Sequence, residues 1–103
     1  MSAETLAAQA ATLTCLAGIA VSHPSLPGAY FVVSSITPNK LTVQLDSPSE
    51  VEAWRDALGV SAEEIYTRRI GAQPSIEFEA TAYGVTFHVW ATYEPATVEA
   101  VAS

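Results

Sequence analysis

The stretch that decides the fold is IEFEATAYGVTFHVWAT, residues 76–92. Apolar and polar residues alternate on both sides of Tyr83-Gly84, which is typical of two half-buried strands joined by a tight turn. A two-residue loop at this position places Glu79 opposite His88 on the polar face. The sequence therefore predicts an antiparallel hairpin with one apolar face and one face of Glu, His, Thr and Trp side chains.

A third strand is expected just before this hairpin, over residues 63–70. Ile65, Tyr66 and Thr67 favour a strand, because β-branched and aromatic residues fit a pleated surface. Ser61 followed by Glu64 could instead cap a further helical turn, so a helix over residues 61–70 remains the alternative.

A helix is expected to begin at Ser47 and end at Gly59. Ser47 can cap it, Pro48 suits the first turn, and Glu50 stands three residues after Ser47 as in a capping box. Its buried stripe is expected to consist of Val51, Trp54 and Leu58.

An earlier hairpin is expected from residues 29–36 and 41–45, joined by Thr37-Pro38-Asn39-Lys40. We expect Ile36 to face Leu41, which puts alternate residues of both strands on the core face. In that register the core face holds Tyr30, Val32, Ile36, Leu41, Val43 and Leu45, and the outer face holds Phe31 and Val33 among others.

The first helix is expected over residues 2–20, and no residue from Thr5 to Asn39 is charged. A soluble helix normally carries charge on its water-facing side, so this segment suggests contact with a partner. One apolar stripe is expected from Leu6, Leu13, Leu16 and Ala20. A second, flatter stripe of Ala7, Ala11 and Cys15 either allows close approach of another backbone or reflects the helix propensity of alanine.

The element order is therefore α-β-β-α-β-β-β, which predicts an α+β fold with an antiparallel sheet and helices on one face. A chain of 103 residues forms one domain, expected over residues 1–93, with a tail over residues 94–103 that is expected to fray.

Eleven acidic residues face four basic ones, for a net charge of −7. Nucleic acid and anionic membranes require clustered cations, so neither is an expected direct partner. The single cysteine, Cys15, excludes an intrachain disulfide and is interpreted as a buried thiol rather than a nucleophile. The amino-terminal run lacks basic residues and is too polar to span a bilayer, which predicts a cytoplasmic protein.

The polar face of the sheet holds the candidate site. With a turn at residues 71–74, Arg68 lies beside Glu77 and Tyr66 beside Glu79. Glu79 and His88 could act as an acid–base pair, whereas Arg68, Glu77 and Trp90 could hold a small polar ligand or simply form a solvated face. A fully exposed indole would forgo favourable burial, so we expect Trp90 to be covered by the chain's own tail, by a second copy or by another protein. We predict no catalytic, metal or cofactor site, and name as interaction-surface candidates Phe31, Val33, Tyr66, Arg68, Glu77, Glu79, His88 and Trp90.

The pairing of VEAWRDALGV, residues 51–60, with GVTFHVWATY, residues 84–93, resembles small α+β proteins of unassigned function from Streptomyces-type actinobacteria and their phages or mobile elements. High alanine, few lysines and a short acidic chain fit that source. The resemblance covers about half of the chain and rests on packing residues, so it implies no activity and no functional residue.

Three hypotheses follow. The first is a non-enzymatic interaction module, expected to be a homodimer, that uses the uncharged helix or the outer sheet face. The second is an acidic inhibitor that occupies a basic nucleic-acid-binding surface, which requires Glu63, Glu64, Glu77 and Glu79 to form a continuous ridge. The third is a small-ligand binder or weak acid–base enzyme centred on Glu79 and His88.

Overall fold

A computed structural model of the chain describes residues 5–71 and 73–94. Its helices and strands follow the predicted α+β order: α1 Ala10–Ser22, β1 Tyr30–Val33, β2 Lys40–Gln44, α2 Pro48–Ala57, β3 Tyr66–Ile70, β4 Gln73–Ala82 and β5 Val85–Thr92. A 3-10 turn, Ala7–Gln9, precedes α1, and another, Ala62–Glu64, precedes β3. Residues 2–4 of the predicted first helix and 95–103 of the predicted tail lie outside the described residues.

The five strands form one sheet in the order β1-β2-β5-β4-β3. Three neighbouring pairs are antiparallel, but β2 and β5 run parallel, with Leu41 beside Phe87 and Val43 beside Val89. The sheet is therefore mixed and mostly antiparallel. The parallel pair is possible because α2, β3 and β4 together form a long crossover between β2 and β5.

Both helices pack on the same face of the sheet, as predicted. Ile19 of α1 and Val51 and Trp54 of α2 join the buried residues of the central strands. These strand residues are Leu41, Val43, Phe78, Val85, Phe87, Val89 and Ala91. Within residues 5–71 and 73–94, no helix packs on the opposite face of the sheet, which we call the helix-free face.

The start of α2 is fixed by Ser47, whose Oγ accepts the Glu50 N–H at 3.4 Å. Pro48 occupies the first helical position, as predicted. Glu50 reaches back to the N–H of Asp46 at 3.0 Å, one residue earlier than a capping box requires. Further along α2, Trp54 is buried and its Nε1–H donates to the Pro27 carbonyl at 3.0 Å.

The β4–β5 hairpin has the predicted register, with Ala82 opposite Val85. Tyr83 and Gly84 form its loop with φ angles of 56° and 76°. Positive φ at both central positions defines a type I′ turn, whose twist matches that of the two strands. Tyrosine adopts this backbone conformation at a cost that glycine does not have.

The register of the β1–β2 hairpin differs from the prediction. Tyr30 pairs with Gln44 and Val33 with Leu41, because the connection is six residues long, 34–39, rather than four. Ser34 organises it by accepting the N–H groups of Ile36 and Thr37 at 3.2 and 2.8 Å.

This register shift is odd, so it exchanges the two faces of β1. Phe31 and Val33, predicted to point outward, are partly buried against the core, and Tyr30 and Val32 are exposed instead. Ile36 is exposed in the loop. The predicted core positions Leu41, Val43 and Leu45 are confirmed.

The buried side of α1 also differs from the prediction. Within α1 only Thr12 and Ile19 are buried, and Leu16 is partly buried, whereas Leu6 and Leu13 are exposed. Thr12 Oγ1 donates to the Pro38 carbonyl. This polar tether to the β1–β2 loop turns the predicted leucine stripe toward water.

The ambiguous segment before β3 contains both predicted alternatives. Ser61 Oγ accepts the Glu63 N–H at 3.2 Å and caps the 3-10 turn. The strand then begins at Tyr66, three residues later than predicted.

Candidate functional site

One row of side chains crosses all five strands on the helix-free face. Its members are neighbours in the register of successive strands, and aromatic and polar residues alternate along it: Tyr30, Gln44, Trp90, Glu77 and Tyr66. This row contains three of the predicted site residues. Gln44 was predicted to point outward but was not named as a site residue, whereas Tyr30 was assigned to the core face because the β1–β2 register was predicted wrongly.

Glu77 is the centre of this face and is completely buried, with a relative exposure of 0%. Arg68 donates to both carboxylate oxygens, from Nε to Oε2 at 2.9 Å and from Nη2 to Oε1 at 3.1 Å. Ser75 Oγ donates to Oε2 at 2.6 Å, and the Tyr66 hydroxyl donates to Oε1 at 3.3 Å. His88 Nε2 completes the set at 2.7 Å from Oε1. The carboxylate therefore joins side chains of β3, β4 and β5.

The β3–β4 register explains why both Tyr66 and Arg68 reach this carboxylate. Tyr66 pairs with Glu77 and Arg68 with Ser75, two residues from the predicted register. A shift of two residues preserves the faces, so the predicted contact of Arg68 with Glu77 is present, but Tyr66 also lies beside Glu77 rather than Glu79. Ser75 was not singled out from the sequence, although its position two residues before Glu77 places it on the same face.

The pKa of Glu77 is lowered from its ordinary value of 4.5 to about 2. Burial acts to raise it, but hydrogen bonds from Arg68, Ser75 and His88, together with the charge of Arg68, outweigh burial. Burial and the neighbouring Glu77 charge raise the pKa of the Tyr66 hydroxyl, so it stays protonated as a donor. The cluster is thus an ionised carboxylate with its donors arranged around it.

His88 is paired with Glu77, not with Glu79 as predicted. Glu79 is opposite His88 in the strand register, yet the imidazole turns along the sheet to the buried carboxylate. Because an ionised carboxylate only accepts hydrogen bonds, the Glu77 contact requires a proton on His88 Nε2. The acid–base pair proposed for Glu79 and His88 is therefore absent as a direct contact, and Glu79 is exposed to solvent.

We expect the Glu77 cluster to make the fold acid-sensitive in a defined window. A carboxyl whose pKa falls from 4.5 to about 2 on folding contributes stability above pH 4.5 that is lost as the pH falls toward 2. The loss is about 3 kcal/mol of unfolding free energy. Urea unfolding at pH 6, 4, 3 and 2 measures it. In Glu77→Gln, which cannot titrate, this part of the pH dependence should disappear, and equal acid sensitivity in the two proteins would contradict the expectation.

The ridge of four carboxylates required for an acidic inhibitor does not form around Glu77. Glu63, Glu64 and Glu79 are exposed, but Glu77 is buried and paired with Arg68. Arg68 itself is on the surface side of the cluster, with 55% of its side chain exposed. Positive charge therefore interrupts the acidic surface where the ridge would have to be continuous.

Trp90 is half-buried rather than fully exposed on the helix-free face. Its register neighbours are Gln44 on one side and Glu77 on the other.

On the helix side of the molecule, a cavity of about 340 Å³ lies between α1, the end of α2 and the β4–β5 turn. Its lining residues are Cys15, Gly18, Ile19, Ser22, His23, Ala57, Leu58 and Tyr83. Burial raises the pKa of the Cys15 thiol, which disfavours the nucleophilic thiolate.

Within residues 5–71 and 73–94, no three His, Cys, Asp or Glu side chains are grouped so that they could hold a metal ion. In the same part of the chain, no helix combines the length and the apolar character needed to cross a membrane.

No protein-family model, curated protein or solved structure matches the chain.

The structure places the uncharged part of the sequence at one edge of the sheet. The uncharged residues 5–39 form α1, the edge strand β1 and the β1–β2 loop. Gln9 Nε2 donates to the carbonyls of Val33 and Ser34 at 3.0 and 3.3 Å, which ties the start of α1 to the end of β1. At the other edge of the sheet, β3 carries Arg68 and Arg69. Acidic residues adjoin the uncharged side at two places, where Asp46 lines a pocket with Tyr30 and Asp56 lines one with Ser22.

This uncharged side also exposes apolar side chains. Val21 is 81% exposed, Leu6 72%, and Leu13 and Ile36 are exposed as well. Four of the exposed apolar residues of α1 recur at spacings of three or four residues and so lie in one stripe, and Leu6 is exposed ahead of the helix: Ala10, Leu13, Ala17 and Val21, with Leu6. We call this set the α1 stripe.

Proposed function

We propose that the protein is a non-enzymatic interaction module that associates with a second copy of itself through its uncharged side, formed by α1, β1 and the β1–β2 loop. The observation that carries the proposal is the α1 stripe, an apolar helix surface that faces water in the single chain. Burying the α1 stripe in a dimer removes apolar area from water, which stabilises the dimer by about 25 cal/mol for each Å² buried.

A second copy can be accommodated only where the contact surface carries no charge, and the α1 stripe is such a surface. Each chain has a net charge of −7, so two copies repel each other over most approaches. The α1 stripe itself carries no charge, because no residue from Thr5 to Asn39 is charged. A two-fold arrangement also places the same apolar surface on both sides, as closed homodimers require.

We expect light scattering behind size exclusion to give the mass of a dimer, with dissociation on dilution. Because the contact is apolar, the dimer should persist when salt is raised, whereas a charge-based complex weakens. A monomer at every concentration would overturn the proposal.

We expect the double variant Leu13→Glu/Val21→Glu to be monomeric, since it places two charges in the α1 stripe. Both side chains are exposed, so circular dichroism should show the wild-type fold. Thr67→Glu, on the exposed β3 edge, is the matched control and should remain dimeric. If the double variant dimerises as the wild type does, the α1 stripe is not the interface.

A further inference from the structure

The free edge of β1 has a defined hydrogen-bonding pattern. The Ser34 N–H donates to the Lys40 carbonyl at 3.2 Å, so residues of even number in β1 direct their backbone groups toward β2. The N–H and C=O of Phe31 and the N–H of Val33 therefore point off the edge of the sheet. The Val33 carbonyl also points outward but is bound by Gln9 Nε2.

This edge has neither of two devices that commonly protect an edge strand from pairing, a charged side chain or a proline. Residues 30–33, YFVV, contain no charge and no proline, and their pairing with β2 is regular. The opposite edge strand, β3, carries Arg68 and Arg69, and charged residues on an edge strand disfavour pairing with another chain. The β1 edge is also the one whose end is bound by Gln9, the residue before α1.

We propose that two copies pair antiparallel along β1, joining their sheets into one sheet of ten strands. The inference rests on the proposed self-association and specifies its geometry. Antiparallel pairing of one strand with itself is self-complementary about a two-fold axis. Because Gln9, the residue before α1, binds the end of β1, the starts of the two α1 helices lie near the junction.

The hydrogen-bonding pattern also fixes the register. Only odd-numbered residues offer groups at the edge, so odd residues must oppose odd residues across the junction. Since Gln9 occupies the Val33 carbonyl, the pair with both groups available is Phe31 opposite Phe31 of the second copy. This register places Tyr30 opposite Val32 of the second copy on the helix-free face. Aromatic and β-branched residues are a favourable cross-strand pair.

Disulfide trapping tests this register directly. The pair of Tyr30 with Val32 is a non-hydrogen-bonded pair, whose Cα atoms lie about 4.5 Å apart, within the range that a disulfide spans. Two full-length variants are prepared in a Cys15→Ser background, one with Tyr30→Cys and one with Val32→Cys. Both side chains are exposed, at 68% and 48%, so the substitutions spare the core.

When the two variants are mixed, allowed to exchange and oxidised, we expect a covalent dimer containing one chain of each. Its yield should approach the share of mixed dimers that random exchange produces. Either variant alone should give only traces of covalent dimer. In the proposed register the cysteine of each variant lies diagonal to, and not opposite, the same cysteine of the second copy. Thr67→Cys in the same background, on the exposed β3 edge, is the control and should not crosslink.

The outcomes separate this inference from the proposed function. If the Cys15→Ser parent is a dimer by light scattering but the mixture does not crosslink, edge pairing is overturned and self-association stands. Strong crosslinking of Val32→Cys alone would also overturn the register. A monomeric parent overturns both. As a second measurement, the amide hydrogens of Phe31 and Val33 should exchange more slowly as the protein concentration rises, and exchange independent of concentration contradicts the pairing.

Discussion

Replacing Glu77 by alanine is expected to lower the free energy of unfolding by about 3 kcal/mol, since a buried hydrogen-bonding group left without its partner costs about 1–3 kcal/mol and more where a charged group is involved. The carboxylate is completely buried and accepts hydrogen bonds from side chains of three strands. Without it, the largely buried His88 ring loses its acceptor, and the Ser75 hydroxyl keeps only its longer contact with the Arg68 carbonyl at 3.2 Å. Urea unfolding followed by far-UV circular dichroism at pH 7 measures the loss.

Glu79→Ala is the matched control, since Glu79 lies on the same strand and the same face, two residues away. It is exposed and should change the unfolding free energy by no more than about 0.5 kcal/mol, as surface substitutions usually do. Similar losses for the two variants would mean that the Glu77 cluster does not hold β3 to the hairpin. Glu77→Gln separates charge from shape, because it keeps an acceptor for Ser75 but removes the negative charge opposite Arg68.

The contrast between these two glutamates shows what the sequence could and could not predict. Alternation placed both on the polar face of the hairpin, and the Tyr83-Gly84 turn gave the correct β4–β5 register. The sequence did not reveal that one is buried, because burial of Glu77 depends on how β3 is aligned with β4. The turn between those strands has no signature that fixes its length, so the predicted alignment was two residues off.

The predicted register of the β1–β2 hairpin was wrong for a related reason, and this error had a larger consequence. The strand pattern was recognised correctly, but Ser34 ends β1 early by accepting two backbone N–H groups of the loop. An odd shift in register exchanges faces, so Phe31 and Val33 moved inward and Tyr30 and Val32 outward. The parallel pairing of β2 with β5 could not be predicted either, because a crossover of this length permits both directions.

The charge-free segment was the most informative feature of the sequence, although the predicted apolar stripe of its helix was wrong. Helical spacing identifies which residues share a face but not which face meets the sheet. That choice is made by Thr12 and Gln9, polar residues that bind carbonyls of the β1–β2 loop and of β1. Leucines that the pattern assigned to the core therefore form part of the proposed interface.

The two tryptophans lie on opposite sides of the sheet, and replacing the buried one is the second substitution expected to lower stability strongly. Trp54 is 2% exposed, and its ring centroid lies 5.9 Å from that of Phe31. Its Nε1–H donates a hydrogen bond to the Pro27 carbonyl. We expect Trp54→Ala to cost about 3–5 kcal/mol through the cavity it leaves. Trp54→Phe keeps most of the packing but loses the hydrogen bond to the Pro27 carbonyl. The loss of this hydrogen bond should lower the free energy of unfolding by about 1 kcal/mol.

Trp90→Ala is the comparison that tests whether the helix-free face is a surface. Because Trp90 is only half-buried, the substitution should lower the unfolding free energy by about 1–2 kcal/mol in urea unfolding, well below the cost at Trp54. Equal costs would mean that Trp90 is packed as tightly as a core residue. If the cost of Trp90→Ala also falls when the protein is diluted below the dimer range, a second copy covers Trp90. Such a result would place the interface on the sheet face and contradict the proposed contact along α1 and β1.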